Sequence, residues 1–368
     1  MNRDNINRIL TSGLAVLLIS YFNLCDAQNG KPEVQIAKFE PADGQYLFFA
    51  GQDMEAIGGL NDYNDGYFDH FEPAAGITLY TNFSPGSESF GYYNRGNDGI
   101  KSTASWGAGS SCAQCYVDDP DFEHSLISIG LSFVDHEKKV ARGQHDKLIR
   151  ELGSWIKGLG ERPVFLRIGY EFDGWAWNHY QKKHYLAAWE RIHSIFNEMG
   201  VTNVAFVWQS KGTGSDQSIL EEWYPGDELV DWCAYSHFGN PDEEMLTFAR
   251  KHHKPVFIAE ATPVMQTDNL YFNADLSEPE VARRVWKSWF VPFLNTLNEH
   301  QDIIKAFSYI NADWSSQPMW IINPVFQKVD SRIQESEFIS KKWKEEMAKP
   351  QYLKLDAELW ESLGVVEE

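Results

Sequence analysis

Val164-Phe165-Leu166-Arg167-Ile168-Gly169-Tyr170-Glu171 and Lys254-Pro255-Val256-Phe257-Ile258-Ala259-Glu260 are two short apolar runs, each ending on a glutamate. The strands they predict, Pro163–Gly169 and Pro255–Ala259, are joined by six further runs of the same kind: Tyr46–Ala50, Gly76–Tyr80, Leu126–Phe133, Val204–Trp208, Val230–Tyr235 and Ile304–Ile310. Amphipathic helical patterns fall between them, notably Gln144–Leu159, Lys182–Met199, Glu243–His252 and Glu278–His300. Short apolar strands alternating with such helices indicate a parallel sheet with right-handed crossovers. Eight strands in this rhythm are what a (β/α)8 TIM barrel requires, whereas a doubly wound sheet usually stops at about five to seven. Residues 81–124, rich in Gly, Ser, Asn and Asp, read as an elaborated loop after the second strand. From Ser331 onward a helix near Glu335–Ala348 and a charged tail read as a closing appendage.

The chain has 368 residues, so a length prior of about 150 per domain suggests two domains. No repeat, low-complexity tract or Pro-rich linker divides it, and one barrel domain over 28–368 is expected. Hydrophobic residues are 43% and aromatics 14% of the chain, which supplies a large core and excludes global disorder. The formal charge of −21 repels phosphate backbones, so nucleic acid is excluded as the main partner. It also disfavours anionic membranes and sulfated or uronic-acid polymers. Acidity combined with 14 Trp and 16 Tyr suits a neutral ring-shaped ligand such as a sugar.

Residues 1–27 read as an export signal: Arg3 and Arg8 precede the apolar run Leu14–Ile19, and Cys25-Asp26-Ala27 offers a cleavage site before Gln28. The run is too short for a spanning helix of about 20 residues. A lipid anchor on Cys25 is the second reading, against a poor lipobox at Phe22-Asn23-Leu24. A secreted or periplasmic chain follows. In that compartment Cys112 and Cys115, set in a Gly/Ser-rich loop, read as a local disulfide, and Cys233 as a packing residue in a strand.

In a barrel, chemistry lies at the C-terminal ends of the strands. Alternation puts Glu171 on one face with Gly169, Arg167 and Phe165, and Glu260 with Ile258 and Val256. If those faces point inward, both carboxylates stand in the barrel mouth. Such a pair serves glycoside hydrolysis, in which one carboxyl donates a proton to the leaving oxygen and the other attacks the anomeric carbon. Arg167, on the same face below Glu171, would keep a neighbouring carboxylate charged. Taken singly, each glutamate could as well cap a helix or pair with a lysine.

Leu166–Asn178, Lys254–Pro263, Trp223-Tyr224-Pro225-Gly226-Asp227, Val230–Phe238 and Phe49-Ala50-Gly51-Gln52-Asp53 together resemble glycoside hydrolase family 26 of clan A. The likeness covers roughly Tyr46 to Trp314. It implies Glu171 as general acid/base, Glu260 as nucleophile and a retaining mechanism with the carboxylates about 5–5.5 Å apart. It further implies that Tyr235 hydrogen-bonds the nucleophile and that His237 reaches the sugar. A core aromatic and a solvated histidine are the alternatives for those two. The family's mannanases place His before the acid/base, where this chain has Tyr170. The string Arg167–Asp173 is closer to members acting on β-1,3-xylan.

Trp177, Trp208 and Trp314, with Trp175 and Trp223, are candidate platforms for pyranose rings, and Gln52 and Asn178 candidate contacts to hydroxyls. Asn61–Gly66 with Glu72 matches a calcium loop poorly and reads as a turn, so no metal and no cofactor are expected. The oligomeric state is not readable. The expected activity is cleavage of internal β-glycosidic bonds in a neutral polysaccharide, β-1,3-xylan or β-mannan. The rivals are a red-algal galactan hydrolase, served by local basic residues such as Arg95, Lys101 and Lys211, and a polysaccharide-binding barrel without catalysis.

Overall fold

The computed structural model describes residues 37–264, 266–267, 270–271 and 274–365. The export signal over 1–27, the anchor alternative at Cys25 and most of the linker after it lie outside the described residues. Eight parallel strands close a barrel: β1 Tyr46–Gly51, β2 Gly76–Asn82, β3 Leu126–Ser132, β4 Val164–Ile168, β5 Val204–Ser210, β6 Trp232–His237, β7 Val256–Ala261 and β8 Ile304–Ile310. Neighbours in sequence are neighbours in the sheet, and β8 closes onto β1 from Leu47↔Ala306 to Gly51↔Ile310. Each expected strand is present, so the chain is a (β/α)8 barrel.

Helices cover the outside. Lys182–Met199 follows β4 with the bounds expected from its pattern, and Gly200 at φ 65° ends it. Gln217–Trp223 and Glu243–Lys251 start where Asp216 and Asp242 accept hydrogen bonds from the amides of Ile219 (2.9 Å) and Met245 (3.2 Å). The first of these was not expected, because seven residues are too few to show a helical period. Pro279–Glu299 is interrupted by a π turn at Trp286–Phe290. The 81–124 segment is not plain loop. It holds two small hairpins and the helix Ala113–Val117. Cys112 and Cys115 are disulfide-bonded, with Cys112 at the N-terminus of that helix and not in the expected loop.

Alternation along the strands separates two cores. Phe49, Phe165, Trp232 and Phe257 point inward and pack together with ring centroids 5.0–6.0 Å apart, Phe165 meeting the other three edge to face. Ala205, Ala234 and Ala306 leave them room, and a Cβ on Gly76 would meet the Phe49 ring at 2.6 Å. Outward residues such as Ile77, Leu166, Trp208 and Tyr235 fill the space under the helices with Trp189, Trp289 and Trp343. Above the inner aromatics the lining turns polar, and Ser308 donates to Thr78 at 2.9 Å.

The C-terminal tail is more than a charged appendage. Tyr352–Leu353 pairs with the start of β1, and Leu359, Leu363 and Val365 join Phe39 in the inner core, closing the barrel floor. Removing the buried Leu359 side chain leaves a cavity there, so Leu359→Ala is expected to cost about 2–5 kcal/mol. Urea unfolding at unchanged m-value measures it, and a cost near zero would show that the floor carries no packing.

Candidate active site

The strand ends at the barrel mouth bring together Tyr80 (β2), Arg167 (β4), Gln209 (β5), Ser236 (β6) and Glu260 (β7), with Glu171 just past β4. Arg167 is fully buried and faces inward beside Phe165. Its Nη1 donates to Glu260 Oε1 at 2.8 Å and to Gln209 Oε1 at 2.9 Å. The guanidinium also lies over the Tyr80 and Tyr170 rings, at 4.9 and 5.5 Å from their centroids. Space for it comes from Gly130 on β3, where a Cβ would stand 2.9 Å from Arg167 Nη2 and 2.5 Å from the Tyr80 ring. The Tyr80 hydroxyl lies 2.8 Å from Glu260 Oε1 and 3.0 Å from Gln52 Oε1. Burial, with Glu260's charge adding and Arg167's opposing, pushes this phenol well above its ordinary value, so it stays a donor.

Glu260 does not share an inward face with Ile258 and Val256. Those two face outward into the helix layer, and Phe257 and Ala259 face inward. Pairing with β6 slips from Tyr235↔Ile258 to Ser236↔Glu260, so β7 carries one extra residue. This bulge re-aims Glu260 into the mouth.

Glu171 stands in a turn. Gly169 has φ 56°, and Glu171 itself has φ 50°, a left-handed conformation costly for a non-glycine residue. Asn178 holds the turn, its amide donating to the carbonyls of Tyr170 (2.8 Å) and Glu171 (3.0 Å). Ser236 Oγ bonds Glu171 Oε1 at 2.6 Å and the Trp177 indole donates to Oε2 at 2.7 Å. Burial, then repulsion from Glu260, pushes the Glu171 carboxyl up to about 8, against the pull of Ser236 and Trp177.

Several expected site residues lie elsewhere. Tyr235 and His237 have outward parity on β6. Tyr235 is buried, facing the charges of Asp242 and Glu243, and His237 packs against Trp289 and Phe293. Burial lowers the His237 imidazole to about 4, and neither residue bonds Glu260. Trp208 stacks on Phe172 at 4.5 Å beneath the helices, and buried Trp314 stacks on Phe326 at 4.4 Å. Both are core residues and present no platform. Asn178 is engaged with backbone, as above, and Trp223 packs against Phe172 and Trp175. Trp175 and Trp177 remain open, at 48% and 51% exposure, beside Glu171. Gln52 and half-buried Tyr170 border the same mouth, Tyr170 meeting Tyr80 edge-on at 5.2 Å.

Tyr80, Gln209 and Ser236 were missed. Gln209 and Ser236 were each one alternation step from view, because Ala205-x-Val207-x-Gln209 and Trp232-x-Ala234-x-Ser236 are the inward series, not those of Trp208 and Tyr235. Among the described residues, no group of three or more His, Cys, Asp or Glu is placed to hold a metal ion.

No protein-family model matches the chain. The β-1,3-xylanase TXYA of Vibrio sp is 32% identical over 347 residues, which are 89% of this chain and 70% of that protein. A β-1,3-xylanase of Alcaligenes sp is 30% identical over 351 residues, 89% of this chain and 69% of that one. Two solved structures share the fold: the GH26 β-mannanase of Bacteroides ovatus, and GH26C of Muricauda sp. The first has a TM-score of 0.55 at 15% identity, covering 86% of this chain and 93% of that one. The second has 0.56 at 13%, covering 88% and 91%. The relatives define a glycoside hydrolase, and its barrel fold is the one seen in the GH26 structures. The chain belongs to the family of the Vibrio and Alcaligenes β-1,3-xylanases.

Between the ordinary carboxylate range and about 8, the folded chain holds the Glu171 proton and the unfolded chain releases it. The stability this contributes is full below that range and is lost as pH rises through about 8. Glu171→Gln has no such proton to lose. Its melting temperature relative to wild type should therefore climb from pH 5 to pH 9, and a flat difference would remove the raised proton affinity. Tyr80→Phe deletes one donor to Glu260 without opening a cavity, and kcat/KM should fall by about 10- to 100-fold at constant stability.

Proposed function

We propose that the chain is an exported, retaining endo-β-glycanase that cleaves internal bonds of β-1,3-xylan by double displacement. Glu171 protonates the leaving oxygen while Glu260 attacks the anomeric carbon. Glu171 then takes a proton from the water that releases the glycosyl group from Glu260. The observation that carries this reading is the pairing of two glutamates in unlike settings at one barrel mouth. Glu260 is bonded by Arg167 and Tyr80, and Glu171 is held toward its protonated form by burial and by Glu260. The names of the relatives support xylan as the substrate, and Tyr170 in place of the mannanases' histidine agrees with it.

The open indoles of Trp175 and Trp177 beside the acid offer apolar faces to sugar rings. A cavity of about 470 Å³ at the ends of β1 and β8 has Asp53, Glu55, Asp62, Asp65 and Asp313 in its lining, against Arg332. A lining of that sign favours a neutral chain over a sulfated or uronic one. Residues 28–368 form the catalytic domain in this reading, and residues 1–27 the export signal.

A panel of neutral and sulfated β-glycans tests the substrate. Release of oligosaccharides from β-1,3-xylan is expected, and activity confined to another polymer would overturn the assignment. Glu171→Ala should lower turnover by about 10²–10⁴-fold, and Glu260→Ala by at least as much. Azide should rescue Glu260→Ala with a glycosyl azide of inverted configuration. Near-normal turnover in either variant would sink the roles. The first step needs protonated Glu171, so kcat/KM should hold through neutral pH and fall as pH rises through about 8.

A further inference from the structure

The two glutamates are joined by a hydrogen-bond chain whose direction is fixed by its middle. Arg167 can only donate, so the Gln209 oxygen it touches at 2.9 Å must face it. That orientation turns the Gln209 amide nitrogen toward Ser236 Oγ at 3.1 Å, with Glu260 Oε1 at 3.5 Å. A serine hydroxyl that receives one hydrogen has its own to give, and Glu171 Oε1 lies 2.6 Å away. The other Glu171 oxygen faces the Trp177 indole, also a pure donor, at 2.7 Å. An ionised Glu171 satisfies both donors. A protonated Glu171 can still accept from both, but more weakly than a charged carboxylate does, so the two donors favour the ionised form.

We infer that Ser236, aimed by Gln209 and Arg167, is a positioning residue that favours the ionised form of Glu171 and readies it for the base role in the second half of the reaction. This rests on the reading of Glu171 as acid/base. The charged groups around Glu171 are Glu260 from β7 and Asp173 from its own loop. The tyrosines Tyr170 and Tyr180 are near, and Arg167 stands four residues earlier, on β4. Glu260's negative charge opposes ionisation of Glu171 in the free enzyme. Once Glu260 carries the glycosyl ester that charge is gone, and the two donors are left to pull Glu171 toward its carboxylate.

The test compares Ser236→Ala with Ser236→Thr, which keeps the hydroxyl. Two readouts are taken: the titration of Glu171 by 13C NMR of its side-chain carboxyl, and the pH profile of kcat/KM on β-1,3-xylan. Ser236→Ala should move the Glu171 titration and the basic limb of kcat/KM up by about one unit. It should also lower kcat about tenfold on an aryl β-1,3-xylobioside whose good leaving group makes the second step limiting. Ser236→Thr should keep the wild-type titration. An unmoved titration in Ser236→Ala, with kcat/KM lowered equally at every pH, would reduce Ser236 to a structural role and overturn the inference. Absence of xylan cleavage by the wild-type enzyme would instead overturn the functional reading, and the NMR comparison distinguishes the two failures.

Discussion

A guanidinium held dry inside a barrel must be answered by acceptors, because an uncompensated buried charge costs far more than packing returns. Arg167 meets part of that demand through Nη1, which donates to both Glu260 and Gln209, while Nε and Nη2 have no hydrogen-bond partner among the described residues. The mouth is organised around this need. Gly130 clears the volume, the Tyr80 and Tyr170 rings offer their faces, and the Tyr80 hydroxyl completes the Glu260 oxygen that Arg167 touches. Gln209 carries the constraint across the mouth to Ser236 and hence to Glu171. One fixed charge therefore sets the orientation of neutral groups two residues away from it.

The aromatic surplus divides by alternation. Phe49, Phe165, Trp232 and Phe257 fill the barrel below the polar layer, and Trp189, Trp208, Trp289 and Trp343 fill the shell outside it. A barrel with this interior needs small residues opposite its rings, which Gly76, Ala205, Ala234 and Ala306 supply. The exposed indoles of Trp175 and Trp177 are a small part of the total. They lie where the β4 strand gives way to a turn.

The barrel was legible because each strand is a short apolar run with helical pattern between, and eight such runs admit one closure. Glu171, Glu260 and Arg167 were legible because a charge in or at the end of an apolar run is costly to bury and is seldom there for packing. What failed was parity. Strand ends at Trp208 and Tyr235 drew attention to large aromatics, while their smaller polar neighbours Gln209 and Ser236 faced the mouth. Glu260 reached the mouth for a reason outside alternation, since the bulge in β7 shifts its register by one residue and leaves no mark in composition. Tyr80 stands inside a run expected as a plain strand, and its role depends on a hole left by a glycine 50 residues later. Contacts of that sequence separation are set by closure of the sheet and have no local pattern.

The floor of the barrel has a consequence for how the protein is made. Phe39 lies near the start of the described chain and Leu359, Leu363 and Val365 at its end, yet all four seal the same opening. The β1–β8 seam likewise joins residues about 260 positions apart. A growing chain can build the sheet strand by strand from β1, but it keeps an open seam until β8 is made and an unsealed base until residues 359–365 are free. Such long-range closure is slow, and apolar edges stay available to other chains while it waits. Closure of the barrel therefore waits on residues 359–365, and with it the protection of its apolar edges.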